Sequence, residues 1–310
     1  MSTGAESSSS SPRVIFVGLG GGSCSGKTTL AKHILKILKD AGDEDSFILH
    51  QDDFAPREQD LPLAWNGDEQ VRDWDTPHGS IDFAKMYDAL RYISKHAVTP
   101  PEFNSHDKLN VLPNVAVPPE LYSRWASRFK EAIGAGDKSQ KIVIVLVDGF
   151  LTYFDPRVRA ELDVRFFTRC SRQIMKSRRA KRSYITAEEN LWSDPPGYYD
   201  NIVWPAYVLA HKGMFENEDV EKGALLQPQP PETSASQSNS NRSASGNGEA
   251  ESSLSEAVAK EGPPGGPVRG LIILDERHED NNGSSAEIPG QAVTMAEMVD
   301  RACSEIIKRL

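Results

Sequence analysis

Five apolar runs stand out along the chain: VIFVGL at 14–19, SFILH at 46–50, KIVIVLVDGF at 141–150, DVRFFT at 163–168 and VRGLIILDE at 268–276. Each reads as a buried strand. Between them lie stretches with helical spacing, notably TTLAKHILKILKDAG after the first run and SIDFAKMYDALRYISKH after the second. At the C-terminus Met295, Met298, Val299, Ala302, Ile306 and Ile307 fall on one helix face, with Thr294 as N-cap and Glu297 completing a capping box. Strands alternating with helices predict an α/β fold: three α/β/α layers around a doubly wound, mainly parallel five-stranded sheet. On such a sheet ligands bind beyond the carboxyl ends of the strands.

The pattern fails in two places. Residues 1–12 are serine-rich, and residues 228–267 are rich in Ser, Pro, Gly, Asn and Glu, with Leu254 and Val258 their only large aliphatic side chains. Neither stretch buries enough apolar surface to offset the entropy of ordering it, so both are expected to be disordered. Because a strand and a helix follow the second, it is an insertion that interrupts one domain, residues 13–310, and its removal is expected to leave that domain intact. The low hydrophobic share of 38% and the mean hydropathy of −0.49 trace largely to these segments.

Thirty-five Lys and Arg against 45 Asp and Glu give a net charge of −10. That excludes a protein coating nucleic acid along its whole surface. Cys24, Cys170 and Cys303 form no C-x-x-C pair, which argues against a disulfide framework or a cysteine zinc site and fits a reducing compartment. No run approaches the roughly 18 apolar residues of a membrane span. The N-terminal residues lack the features of a secretory or transit peptide. The expectation is a soluble, cytoplasmic monomer without membrane or nucleic-acid partners, with a nuclear location left open by the basic run at 176–182.

The first apolar run leads straight into Gly21-Gly22-Ser23-Cys24-Ser25-Gly26-Lys27-Thr28, an unbroken G-x-x-x-x-G-K-[ST], and a helical pattern opens behind it. Small residues let backbone N–H groups wrap phosphates, Lys27 reaches the outer phosphates, and the Thr28 hydroxyl can hold Mg²⁺. Residues 21–28 and the adjacent Thr29 are therefore the candidate ATP site. A regulatory GTPase would need an N-K-x-D, which the chain lacks. The second run ends in His50-Gln51-Asp52-Asp53-Phe54, bringing two carboxylates to the same sheet edge. A kinase acting on a hydroxyl needs one carboxylate to accept its proton, and Asp52 is the candidate, with Asp53 better read as a solvated or capping acid.

After the fourth run comes SRQIMKSRRAKRSY, in which helical spacing would put Arg178 and Arg182 on one face. In isolation this is a nucleic-acid patch. Its place in the chain and the overall acidity favour a helical lid over ATP. Tyr198, Trp204 and Tyr207 fall at roughly helical spacing and read as core.

Taken together, GGGSCSGKTTLAKHI, HQDDF, DWDTP, VDGFL and DPPGYYDNIVWPAYV resemble the ribosylnicotinamide (nicotinamide riboside) kinases, above all the fungal ones, relatives of uridine kinase among the P-loop NTPase-fold kinases. The resemblance spans residues 14–212 and resumes at 271. It implies transfer of the ATP γ-phosphate to the ribose 5′-hydroxyl of nicotinamide riboside, with nicotinic acid riboside a further candidate, in NAD salvage. Residue by residue it implies Asp52, Lys27 and Arg178 as catalytic groups, and Thr28, Asp52 and Asp148 as the Mg²⁺ site. Arg178 and Arg182 would hold ATP. Asp52, Asp53, Phe54, Trp74, Asp75, Arg179 and Tyr184 would hold the riboside, with Trp74 and Tyr184 on opposite faces of the pyridine ring and Asp75 on the ribose hydroxyls. Two departures stand out: animal members carry a glutamate where this chain has Asp148, and ITAEENLWSD at 185–194 is longer than the animal pattern. A uridine/cytidine-type kinase and a non-catalytic nucleotide-binding regulator remain alternatives.

Overall fold

The structure is a computed structural model and describes residues 11–105, 115–135, 140–182, 184–185, 191–228, 248–275 and 294–310. All five predicted strands form: β1 (Arg13–Gly21), β2 (Phe47–His50), β5 (Ile142–Asp148), β6 (Val164–Arg169) and β9 (Leu271–Asp275). They make one five-stranded sheet in the order β2-β5-β1-β6-β9, and every pairing is parallel. The strands are mostly apolar because both faces are covered, the exceptions being polar groups such as Arg165 and Arg169 of β6 and Asp148 at the end of β5.

On one face Ile15, Val17 and Leu19 of β1 pack with α1 (Lys27–Asp40), α3 (Pro119–Ala135) and α8 (Met295–Ile307). On the other, Phe16 packs with α2 (Phe83–His96), α4 (Pro156–Glu161) and α6 (Trp204–His211). The capping box on α8 forms as predicted, the Thr294 side chain accepting from Glu297 N–H and Glu297 accepting from Thr294 N–H. Tyr198 and Tyr207 are buried, in keeping with their reading as core.

Two antiparallel hairpins lie outside the sheet. The first joins β3 (Leu63–Asn66) to β4 (Glu69–Arg72); the second joins β7 (Tyr184–Ile185) to β8 (Leu191–Trp192). Helix α5 (Arg172–Arg179) follows β6 and stops at Arg179, so Arg182 lies beyond its end. The expected single helical face for Arg178 and Arg182 is therefore corrected: the helix is one turn too short to hold both.

The insertion also differs from expectation. Its residues 229–247 lie outside the described residues, as do residues 1–10. Residues 248–267, however, are built onto the domain through α7 (Gly248–Glu261). Glu261, 4% exposed, makes a two-pronged salt bridge to Arg165 at 2.8 and 3.1 Å. Arg159, fully buried, donates to the carbonyls of Gly262, Pro263 and Gly266. Composition predicts disorder because it counts only apolar burial. Here polar groups that β6 and α4 would otherwise bury unsatisfied make the contact.

Candidate active site

Parallel register fixes where the chemistry gathers. Leu19 of β1 lies beside Asp148 of β5, and Asp148 lies beside His50 of β2, so three carboxyl ends meet on one edge. Residues 51–54 turn there in a short 3₁₀ helix. The buried Gln51 pins that turn, its Oε1 accepting from Leu151 N–H at 2.7 Å.

β1 runs into the glycine-rich loop. Gly21 has φ +137°, and an added Cβ would sit 2.3 Å from the Thr168 carbonyl oxygen; Gly26 has φ +97°. Cys24 shares the left-handed region at φ 64°. Ser25 Oγ meets Thr168 Oγ1 at 2.6 Å, tying the loop to β6. Gly26 is the N-cap of α1 and provides no side-chain cap, which leaves the first amides of a 14-residue helix for an anion. Lys27 is buried at the start of the same helix, followed by Thr28 and Thr29. Arg178 Nη1 donates to the Cys24 carbonyl at 3.3 Å, so the basic end of α5 lies against the loop.

The two acids behave oppositely. Asp148 is buried, and Oδ2 pairs with His50 Nδ1 at 3.0 Å. Burial alone would raise its pKa, but the His50 hydrogen bond and the Lys27 charge outweigh that and hold it below the ordinary value. Asp52 is exposed at the strand ends, yet its pKa is raised, first by desolvation from the protein around it and then by Asp148. Lys27, Arg182 and His50 pull the other way without prevailing. Arg182 thus exerts its charge on the site from beyond the helix end.

Asp148 Oδ1 is buried and makes no hydrogen bond of normal length. With Asp52 and the Thr28 hydroxyl it offers a small set of hard oxygen donors. No group of three or more His, Cys, Asp or Glu forms a metal cage among the described residues. One or two carboxylates plus phosphate oxygens is how Mg²⁺ is usually held, so the donors fit that ion.

A second group of residues gathers at the Arg179 end of α5. The Asp73 carboxylate accepts from the N–H groups of Asp75 and Thr76 at 2.9 Å each, closing a tight turn. Trp74 N–H donates to Tyr198 Oη at 3.0 Å. Asp75 is buried and grips Arg179 with both oxygens at 2.8 and 3.0 Å. Arg179 also holds Asp194 at 2.7 Å, and Asp194 accepts from Trp192 Nε1 at 3.1 Å.

The structure therefore brings Lys27, Thr28, Asp52, Asp148, Arg178 and Arg182 to one edge, with Trp74, Asp75 and Arg179 beside it. Asp53 is half-buried in the same turn. Phe54 is corrected: at 1% exposed and with ring centroids 5.5 Å from Phe103, its side chain is packed in the core beneath the turn. The Tyr184 side chain lies outside the described residues. His50, Gln51, Trp192 and Asp194 are additional site residues. His50 and Gln51 sit inside the HQDDF motif, whose carboxylates are its more conspicuous chemistry. Among the described residues no helix is long and apolar enough to cross a membrane.

The model of the phosphoribulokinase / uridine kinase family matches residues 16–186. A protein of Schizosaccharomyces pombe named nicotinamide riboside kinase is 33% identical over 209 residues, covering 67% of this chain and 84% of its own. Proteins of the same name from Eremothecium gossypii and Saccharomyces cerevisiae are 32% and 28% identical, over 67% and 71% of this chain and 80% and 85% of their own.

Proposed function

The chain belongs to the phosphoribulokinase / uridine kinase family, and from that we propose that it is an ATP-dependent kinase phosphorylating the ribose 5′-hydroxyl of nicotinamide riboside, a step of NAD salvage. The reading is supported by two neighbouring groupings: Asp52 shares the strand ends with Lys27, Asp148 and Arg182, and the end of α5 that touches the glycine-rich loop through Arg178 also holds Asp75, next to Trp74, through Arg179. The names of the relatives point to the same substrate.

The roles follow from chemistry. Asp52, whose raised pKa makes it the better base of the two acids, accepts the 5′-hydroxyl proton as the oxygen attacks. Lys27, Arg178 and Arg182 face the negative charge spreading over the transferred phosphoryl group. Asp148 is kept ionised by His50. Mg²⁺, when bound, would be held by Thr28, Asp52 and Asp148 and would neutralise phosphate charge. In the proposed nucleoside site Trp74 stacks on the cationic pyridine ring, while Asp75, oriented by Arg179, accepts from the ribose hydroxyls. The cytoplasmic, monomeric state expected from the sequence belongs to the same reading.

The test is product identification by mass spectrometry after incubation with ATP, Mg²⁺ and nicotinamide riboside. Nicotinamide mononucleotide and ADP should appear in equal amounts, and a folded protein that releases no riboside-dependent ADP would sink the reading.

A further inference from the structure

Trp192 packs against the core and is tied to Trp74, Tyr198 and Asp194. It stands at the end of the lid hairpin as the register partner of Tyr184. Its indole meets Trp74 with ring centroids 5.9 Å apart and planes inclined by 55°. Its edge meets Tyr198 at 5.7 Å, and the Tyr198 hydroxyl accepts the Trp74 N–H. Its Nε1 donates to Asp194, the carboxylate that shares Arg179 with Asp75. Despite these ties the residue is only half-buried, so part of it stays accessible to a ligand.

Two indoles inclined in this way cannot clamp a flat ring between parallel faces. They form a corner, and a six-membered ring stacked on Trp74 meets Trp192 with its edge. Aromatic faces attract a delocalised cation. The carboxylates of Asp75 and Asp194 against the single guanidinium of Arg179 leave that triad with a net negative charge beside the corner.

We propose that Trp192 is a specificity-determining residue, the second wall of the nucleoside site, which favours a positively charged aromatic ring over a neutral base. The inference rests on the nucleoside reading above and adds to it a residue from the part of the lid that is longer than the animal pattern.

The test compares nicotinamide riboside with its neutral isostere, the C-riboside of benzamide, in wild type, Trp192→Leu and Trp192→Phe. Trp192→Leu should lower the ratio of kcat/KM for cation over isostere about 10-fold, mostly through KM, as expected for a lost cation–π contact. Its kcat should stay within about threefold and its KM for ATP should be unchanged. Trp192→Phe, which keeps a ring, should retain most of the preference. If the Leu variant is unstable on thermal melting, Trp192→Gln serves the same comparison. An unchanged ratio, or equal losses on both ribosides, overturns the inference while leaving the kinase reading standing. A wild type that phosphorylates uridine but neither riboside overturns both.

Discussion

Asp52 and Asp148 carry the same side chain at the same sheet edge, and their surroundings push their pKa values apart. Such divergence is how one site separates a base from a permanently charged ligand. Asp52→Asn should therefore lower kcat by the ~10²–10⁴ of a positioned acid–base group, with ATP affinity, read by nucleotide titration, largely kept. Near-normal turnover would remove Asp52 from its role. A second residue links charge to stability. His211 is 2% exposed, its Nδ1–H donates to the Tyr207 carbonyl at 2.8 Å, and burial lowers its pKa to about 4 from 6.5. The folded state keeps this ring neutral where the unfolded chain takes up a proton. Its contribution is therefore constant above pH 6.5 and falls as pH drops from 6.5 towards about 4, by roughly 3 kcal/mol across that window. Denaturant melts of His211→Gln should show a flatter pH dependence there than wild type. Parallel curves would refute the buried neutral state.

Among the elements, α7 carries the clearest consequence. Without Glu261 the Arg165 guanidinium would stay buried with its carboxylate removed, a change that typically costs about 3–5 kcal/mol. Deleting residues 232–262 should lower the melting temperature clearly, whereas deleting 232–246 should leave it within a degree or two. Equal effects would mean that α7 contributes nothing to the fold. The sequence was uneven in what it made legible at this scale. The five strands and the α8 capping box could be read because a strand covered on both faces is a continuous apolar run and a cap is local chemistry. α7 could not, because its anchor pairs Glu261 with an arginine 96 residues away. The β3–β4 hairpin carries a short-range signal in Gly67-Asp68 between its two strands, with Gly67 at φ +67°. Motif membership does not tell a site wall from the anchor beneath it, and Phe54 of HQDDF is such an anchor.

For the whole molecule, the glycine-rich loop and HQDDF announced nucleotide chemistry from contiguous residues. The proposed nucleoside site depends on Trp74, Arg179, Trp192 and Asp194, spread over 120 positions and joined only by tertiary contacts. Family membership explains the shared phosphate cradle. The aromatic and acidic group is what should separate a pyridinium riboside from uridine, because only the former brings a positive charge to it. The most direct measurement is the ratio of kcat/KM for nicotinamide riboside over uridine, with saturating ATP and Mg²⁺. The account predicts a ratio of at least about 10². A ratio near or below one would contradict it and make this chain a pyrimidine nucleoside kinase.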